Sequence, residues 1–423
     1  MTDIKQQVLV AAKESKAASI KLRYVSTDNK NAALNAIADA LEENIERIVE
    51  ANQIDVDLAV NKGTDSAIVD RLTLNHKRIT DIANAVKDVV KLADPIGDVI
   101  REFTLPNGLE VQQVRVPLGV VAMIYEARPN VTVDAAVLIL KSGSAALLRG
   151  SASAYNTNTV LVEIMRDAIE KIGLPKDAIV LVPGTDHESV KYVMTARGLV
   201  DVIIPRGGAG LIESVVTGST VPVIETGIGN CHLFVDEFAD LDKALKIVLN
   251  AKTQRVSVCN ALETVLVHQK VADDFLPKLM QAFKEKNVTV HGTAEFEDAA
   301  KSAGTSFCEV TDSDWGSEYY SLDIAAGVVD SIDDAIAHIQ KWSTGHTEAI
   351  ITENKEHASK FINAIDSAAV MVNASTRFTD GGEFGFGAEI GISTQKLHAR
   401  GPMGLAEITS FKYVVTGNGQ IRE

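Results

Sequence analysis

Apolar positions early in the chain recur at helical spacing. Leu34, Ile37, Leu41, Ile45, Ile48 and Val49 fall three and four apart, which puts them on one stripe of an α-helix. The first hundred residues are therefore expected to form a helical cap or scaffold. The period then changes: extended runs flank Asn107-Gly108 between Glu102 and Arg115, and an Asn-Gly pair in that setting predicts a β-hairpin. From Gly119 to Glu225 short apolar runs alternate with helical patterns, predicting strands over residues 120–125, 145–149, 179–183, 200–205 and 222–225. A doubly wound series of this kind builds a parallel sheet that binds ligands at the carboxyl ends of its strands.

A second α/β unit is expected from about residue 230 to 400. Ala244, Leu245, Ile247, Val248 and Ala251 mark an amphipathic helix, Val265-Leu266-Val267 a buried strand and residues 325–330 another, with a glycine-rich stretch at 381–387. Residues 407–416 return to extended alternation and are expected to pair with the hairpin near Asn107. Pairing across a two-fold would cover both open edges, so a homo-oligomer, dimer or tetramer, is expected. The expected division is a dinucleotide-binding domain (1–98 and 117–229), a catalytic domain (230–403) and an oligomerisation hairpin and tail (99–116 and 404–423).

Composition narrows the function classes. With 423 residues, 46% of them hydrophobic, the chain can bury large cores. Acidic residues outnumber basic ones 57 to 41, for a net charge of −16, and Lys and Arg form no sustained block. That argues against nucleic acid and against an anionic membrane surface as partners. The first residues carry no charged-then-apolar signal pattern, and apolar stretches such as 135–140 are short and bounded by Asp134 and Lys141, so a cytoplasmic protein is expected. Three cysteines without a CxxC pair suit a reducing compartment and give no structural metal site.

Cys259 is the residue with the clearest chemistry. It lies in Gln254-Arg255-Val256-Ser257-Val258-Cys259-Asn260-Ala261-Leu262-Glu263-Thr264, between the amphipathic helix and the apolar run. Position alone leaves two readings, a reactive thiol on a loop and a small buried hydrophobe. Two glycine-containing loops end predicted strands, Arg149-Gly150-Ser151 and Pro205-Arg206-Gly207-Gly208-Ala209-Gly210. Either could cradle phosphate with backbone N–H groups, or simply need glycine for a tight turn. Neither is the GxGxxG fingerprint after a first strand.

Three longer stretches carry a resemblance that covers essentially the whole chain. They are Arg115-Val116-Pro117-Leu118-Gly119-Val120 running into Ile124-Tyr125-Glu126-Ala127-Arg128-Pro129-Asn130-Val131-Thr132, then Val258-Cys259-Asn260-Ala261-Leu262-Glu263-Thr264, and Ala337-His338-Ile339-Gln340-Lys341-Trp342-Ser343-Thr344-Gly345-His346-Thr347-Glu348-Ala349-Ile350. Together they resemble the aldehyde dehydrogenase superfamily and, within it, the glutamate-5-semialdehyde dehydrogenases. The resemblance implies an aldehyde-dehydrogenase-like α/β fold, with a doubly wound parallel-sheet cofactor domain, an α/β catalytic domain and a small β oligomerisation element. It implies NADPH-dependent reduction of γ-glutamyl phosphate to glutamate 5-semialdehyde with release of phosphate, in proline biosynthesis. A separate glutamate kinase would supply the acyl phosphate, by diffusion or by direct transfer. The rival readings are a hydrolytic NAD(P)-dependent aldehyde dehydrogenase and a non-catalytic scaffold of the same fold.

By this resemblance Cys259 is the nucleophile. A thiolate converts an acyl phosphate into a thioester, and a free cysteine with pKa about 8.5 needs its thiolate favoured locally. Backbone N–H groups around Asn260 and the Asn130 amide would hold the oxyanion, although Asn130 could equally cap the helix after Pro129. Hydrolytic members carry Glu-Leu-Gly-Gly where this chain has Glu225-Thr226-Gly227-Ile228, which leaves Glu225 without an assigned role. Glu318 matches the glutamate that contacts the nicotinamide ribose; its other reading is a solvated surface carboxylate. Arg128, Arg377 and Glu383 are candidates for the substrate's charged end or for surface salt bridges. His338 and His346 belong to the family-specific stretch and are expected to be packed or capping. For the cofactor, Arg149, Gly150, Ser151, Arg206, Gly207 and Gly208 are the candidates. The absence of a carboxylate after the second strand favours NADP(H) over NAD(H), unless Arg149 only pairs with Glu163.

Overall fold

The computed structural model describes residues 3–422. The chain divides into two compact units. One comprises the chain up to Thr226 together with Phe386–Gly391 and everything from Met403 onward; the other comprises Gly227–Gly385 and Ile392–Pro402. The strands of the described residues, in chain order, are β1 Val99–Thr104, β2 Glu110–Pro117, β3 Val120–Tyr125, β4 Ala145–Arg149, β5 Ile179–Leu181, β6 Val202–Arg206, β7 Cys231–Val235, β8 Leu262–His268, β9 Thr289–Gly292, β10 Phe307–Glu309, β11 Asp323–Val329, β12 Thr347–Ile351, β13 Ala369–Val372, β14 Ile392–Ser393, β15 Gly401–Pro402 and β16 Thr409–Thr416.

The first unit opens with helices Ile4–Leu22, Thr27–Glu43, Ile45–Asn61, Ser66–Leu72 and His76–Lys91. The apolar stripe read from Leu34 to Val49 spans two of them. The break falls at Asn44, whose side chain turns back to donate to the Ala40 carbonyl at 2.8 Å. Leu34, Ile37, Leu41 and Ile48 are fully buried, and Ser26 and Asn75 cap their helices by accepting from Asn29 and Arg78 N–H. Strands β5-β4-β3-β6 form a parallel sheet in that order. β3 and β4 are buried throughout, as expected of a sheet covered on both faces. Residues 222–225 do not form the predicted strand: Val223 makes a single bridge to Ile203, and Pro222 has no N–H with which to extend a ladder.

The hairpin is present, with β1 antiparallel to β2 around loop 105–109, where Gly108 takes a φ of +83°. The tail β16 pairs antiparallel with β2 of the same chain, Thr409 opposite Pro117 and Thr416 opposite Glu110. The expected pairing of hairpin and tail across a two-fold is corrected accordingly: β2 becomes a central strand within one chain, and β1 and β16 are the edges.

The second unit holds seven parallel strands in the order β10-β9-β11-β8-β7-β12-β13. Side chains alternate between two cores. Leu233, Val235, Val265 and Val267 pack with Val248, Phe275, Leu279 and Phe283. Phe234 and Leu266 face Ile336, Ile339, Ile350 and Phe361. Because the strands are parallel, the segments leading into β7, β8, β11 and β12 all arrive at the same edge of the sheet, and the candidate chemistry of this unit gathers there. Among the described residues no helix is long and apolar enough to cross a membrane, and no cluster of His, Cys, Asp and Glu could hold a metal ion.

Candidate active site

In the second unit, helix Leu241–Thr253 is capped by Asp240 and buries Ala244, Val248 and Ala251. Its last turn carries Lys252, whose Nζ lies 2.6 Å from Glu263 Oε2, both side chains fully buried. Burial pulls Lys252 below its usual range and pushes the Glu263 carboxyl up to about 7. Lys252 precedes the Cys259 loop and Glu263 opens β8 just after it, so this pair ties the two ends of the loop together. The turn itself is closed by Ala261 N–H donating to the Val258 carbonyl at 3.1 Å.

Cys259 is half-buried, whereas Cys231 is fully buried and Cys308 exposed. The small-hydrophobe reading therefore fits Cys231 better than Cys259. Asn260 is held firmly. Its amide donates to the Thr379 carbonyl at 2.9 Å and to the Arg377 carbonyl at 3.3 Å, and its own carbonyl accepts from Thr376 Oγ1 at 2.7 Å. Cys231 Sγ donates to the Cys259 carbonyl at 3.3 Å, and burial raises that thiol's pKa well above the ordinary value. Gly229 presses on the same carbonyl so closely that a Cβ there would stand 1.5 Å from the Cys259 oxygen.

Glu318 is half-buried, not a solvated surface group. It accepts from Gly229 N–H at 3.1 Å and from the Tyr320 hydroxyl at 2.5 Å, and burial raises its pKa. Tyr320 is held at a φ of +56°, an uncommon conformation for a residue with a Cβ. Arg377 and Glu383 line one cleft with Asn250, Gln254, Phe378 and Asp380. His346 is fully buried with Nδ1 on Thr347 Oγ1 at 2.8 Å, and burial lowers its pKa to about 4. His338 packs edge-on against Trp315 with ring centroids 4.5 Å apart. Both behave as packed histidines.

The remaining candidates lie in the first unit. Asn130 is not a helix cap: the helix runs Pro129–Lys141, Arg128 occupies the capping position without a side-chain bond, and Asn130 lies inside the first turn. Its Nδ2 donates to Asp134 Oδ2 at 2.9 Å, one of its two amide hydrogens. Burial pushes the Asp134 carboxyl up to about 6 against the opposing effects of that bond and of Arg206. Arg128 is exposed and Glu225 half-buried.

Arg149 does not pair with Glu163, which instead meets Arg47. It is buried, with Nε on Ser189 Oγ at 2.9 Å, Nη2 on the Asp186 carbonyl at 2.8 Å and Nη1 on the Gly150 carbonyl. Three of five guanidinium N–H donors are thus engaged within the fold. Gly150 is required by space, since a Cβ would lie 2.2 Å from Asn158 Nδ2. Ser151 caps a short 3-10 turn at Ala152–Ala154 and meets the Ser153 hydroxyl. These hydroxyls, not a carboxylate, stand at the end of β4, a donor set that suits a phosphate-bearing dinucleotide. In the other loop, Gly208 N–H already donates to Glu126 Oε2 at 2.7 Å, and the same carboxylate fills the space a Gly207 Cβ would need.

Sequence reading had missed Gly229, Lys252 and Asp380. Lys252 and Glu263 flank the Cys259 loop in an otherwise apolar setting, which is a usable signal because buried charges need partners. Nothing local marks Gly229.

Residues 2–299 match the model of the aldehyde dehydrogenase family. The gamma-glutamyl phosphate reductase of Thermobifida fusca is 60% identical over 422 residues, covering 100% of both chains. That of Kineococcus radiotolerans is 54% identical, covering 100% of this chain and 98% of the relative. The crystal structure of gamma-glutamyl phosphate reductase from Thermotoga maritima superposes with a TM-score of 0.96 at 47% identity, covering 99% of this chain and 100% of that one. The chain belongs to the aldehyde dehydrogenase family and, within it, to the gamma-glutamyl phosphate reductases.

Proposed function

We propose that this chain reduces γ-glutamyl phosphate to glutamate 5-semialdehyde in proline biosynthesis, through a thioester on Cys259 and at the expense of NADPH. The observation that carries the thioester is the setting of Cys259: a half-buried thiol on a loop tied at both ends by Lys252 and Glu263, with Asn260 pinned from three sides. The Cys259 thiolate attacks the acyl carbon, the C–S bond forms, and the C–O bond to phosphate breaks with its electron pair leaving on phosphate. Backbone N–H groups near Asn260 serve the oxyanion; the same role for the second amide hydrogen of Asn130 rests on the family resemblance alone. When bound, the nicotinamide supplies a hydride to the thioester carbon; the Cys259 sulfur then departs as thiolate. Phosphate leaves without help from an activated water, so Glu225 needs no hydrolytic role.

Arg149, Ser151 and the glycine loop at Gly150 hold the adenosine end, with Arg206, Gly207 and Gly208 at the second loop and Glu318 toward the nicotinamide ribose. Arg149 chiefly braces its loop and keeps two N–H donors, while the Ser151 hydroxyl donates to a 2′-phosphate. Ser151→Ala should weaken NADPH more than NADH, and equal losses would refute the 2′-phosphate role; Arg149→Ala, which unbraces the loop, should weaken both cofactors. Arg377 receives the charged end of the substrate, and the family resemblance adds Arg128 and Glu383 as further candidates for it. Exposed Phe103, Phe411, Tyr413 and Val415 on edge strands β1 and β16 support a homo-oligomer; light scattering that gives a monomer at all concentrations would contradict this.

The thioester is tested by mass spectrometry after incubating the enzyme with semialdehyde and NADP+ without phosphate. An acyl adduct on the Cys259 peptide is expected, and none in Cys259→Ala. An adduct on Cys231, or none, contradicts the mechanism.

A further inference from the structure

Beside the nucleophile's loop, the second unit has a cleft of about 180 Å³ lined by Asn250, Gln254, Arg377, Phe378, Asp380 and Glu383. We propose that this cleft is the specificity pocket for an α-amino acid head group, with Arg377 receiving the α-carboxylate and Asp380 the α-ammonium group. The proposal rests on the acyl-phosphate reading above and adds the residue that tells an amino acid from a simple dicarboxylate.

Two connections tie the cleft to Cys259. The Arg377 carbonyl accepts from the side chain of Asn260, the next residue after Cys259. Gln254, at the start of the same loop, accepts from Arg377 Nε at 2.7 Å. The guanidinium is therefore positioned from the nucleophile's own loop, and its terminal nitrogens have no partner among the described residues. Burial lowers the Arg377 pKa while Asp380 opposes that effect. The cation sits in a partly dry place with one carboxylate in range. The two form no ion pair among the described residues, so both charges remain open to a ligand that carries a carboxylate and an ammonium on one carbon.

Asp380 is better placed than Glu383 to be the ammonium acceptor. It is half-buried, whereas Glu383 is exposed, and a charge shielded from water interacts more strongly. Its Oδ1 accepts from Gly382 N–H at 2.9 Å and Glu383 N–H at 3.3 Å, which fixes the carboxylate before any substrate arrives. Among the described residues no donor reaches Oδ2. An ammonium bound there needs no reorganisation of the loop.

The test compares phosphate-dependent oxidation of glutamate 5-semialdehyde with that of 5-oxopentanoate, which has the same chain and carboxylate but no amino group. Wild type should prefer the amino compound. Asp380→Asn retains an oxygen for the two backbone donors and should raise KM for the amino compound about 10- to 100-fold, with kcat within a few-fold and 5-oxopentanoate unaffected. Arg377→Gln should raise KM for both compounds. A second readout needs no variant: L-glutamate should protect Cys259 of the wild-type enzyme from iodoacetamide at lower concentration than glutarate. Equal effects of Asp380→Asn on both compounds overturn the assignment, as does equal protection by the two dicarboxylates. A wild-type enzyme inactive on both compounds with phosphate present would instead sink the acyl-phosphate reading, so the two failures are distinguishable.

Discussion

Gly229→Ala isolates the geometry that places the Cys259 thiol, the nucleophile proposed above. Its Cβ would lie 1.5 Å from the Cys259 carbonyl oxygen, 2.3 Å from the carbonyl carbon and 2.6 Å from Cα. Ordinary carbon contacts begin near 3.5 Å, so one segment has to move by about 2 Å, and the obstacle is backbone that no rotamer change can clear. Gly229 is not in the left-handed region, so space alone is at issue. On the glycine side, Asn230 is fully buried, with its amide on the Trp315 carbonyl at 2.7 Å and the Trp342 carbonyl at 3.0 Å. The half-buried Cys259 turn is the softer partner and should yield. A misplacement of about 1 Å can cost roughly 100-fold in rate, so kcat should fall at least about 100-fold, with a stability loss of about 1–3 kcal/mol from overpacking. The assay is phosphate-dependent oxidation of the semialdehyde, read beside thermal unfolding and the alkylation rate of Cys259. Gly316→Ala is the comparison: its Cβ would meet only Trp342 ring carbons at 3.8 Å, an ordinary contact, at a φ of −93°, so a loss below about 10-fold is expected. A folded Gly229→Ala enzyme with kcat within about 3-fold of wild type would refute the reasoning.

Two further predictions concern buried charge. Lys252→Met strands Glu263 in the core and should cost about 3–5 kcal/mol in urea unfolding, whereas Lys252→Met with Glu263→Leu should recover most of that loss; a double variant as unstable as the single one would contradict the pair's role. Burial holds the His346 pKa at about 4 in the folded chain against about 6.5 unfolded, so its contribution is fully present above about pH 6.5. It is lost as pH falls toward about 4, on the order of 3 kcal/mol in all; His346→Gln should reduce the slope of stability across that window, His338, whose pKa burial lowers to about 3, retaining its own share, and an unchanged slope would count against the assignment.

Local pattern made much of the fold legible. β3, β4 and β8 are continuous apolar runs because parallel strands covered on both faces have no polar side to show. The hairpin announced itself through Asn107-Gly108, whereas position alone left Cys259 between a reactive thiol and a small buried hydrophobe, and the structure adds that it is only half-buried. What sequence did not reveal depends on partners distant along the chain. The tail's eight-residue register on β2 looks the same in sequence whether it forms within one chain or across a two-fold. Residues 222–225 have strand-like composition but only one bridge to a neighbour. Arg149 looked free to read a phosphate because its partners, Ser189 and Asp186, arrive from beyond the next strand. Gly229 shows its importance only once Cys259 is folded against it.

In the proposed reaction phosphate is the leaving group in reduction, so it has to be the acceptor in reverse. Purified enzyme given glutamate 5-semialdehyde and NADP+ should form NADPH in sustained turnover only when inorganic phosphate is supplied, with a rate that saturates in phosphate. Without phosphate, formation should stop after a single burst of no more than one NADPH per Cys259. Sustained turnover in phosphate-free buffer would mean that water takes the acyl group and would contradict the account.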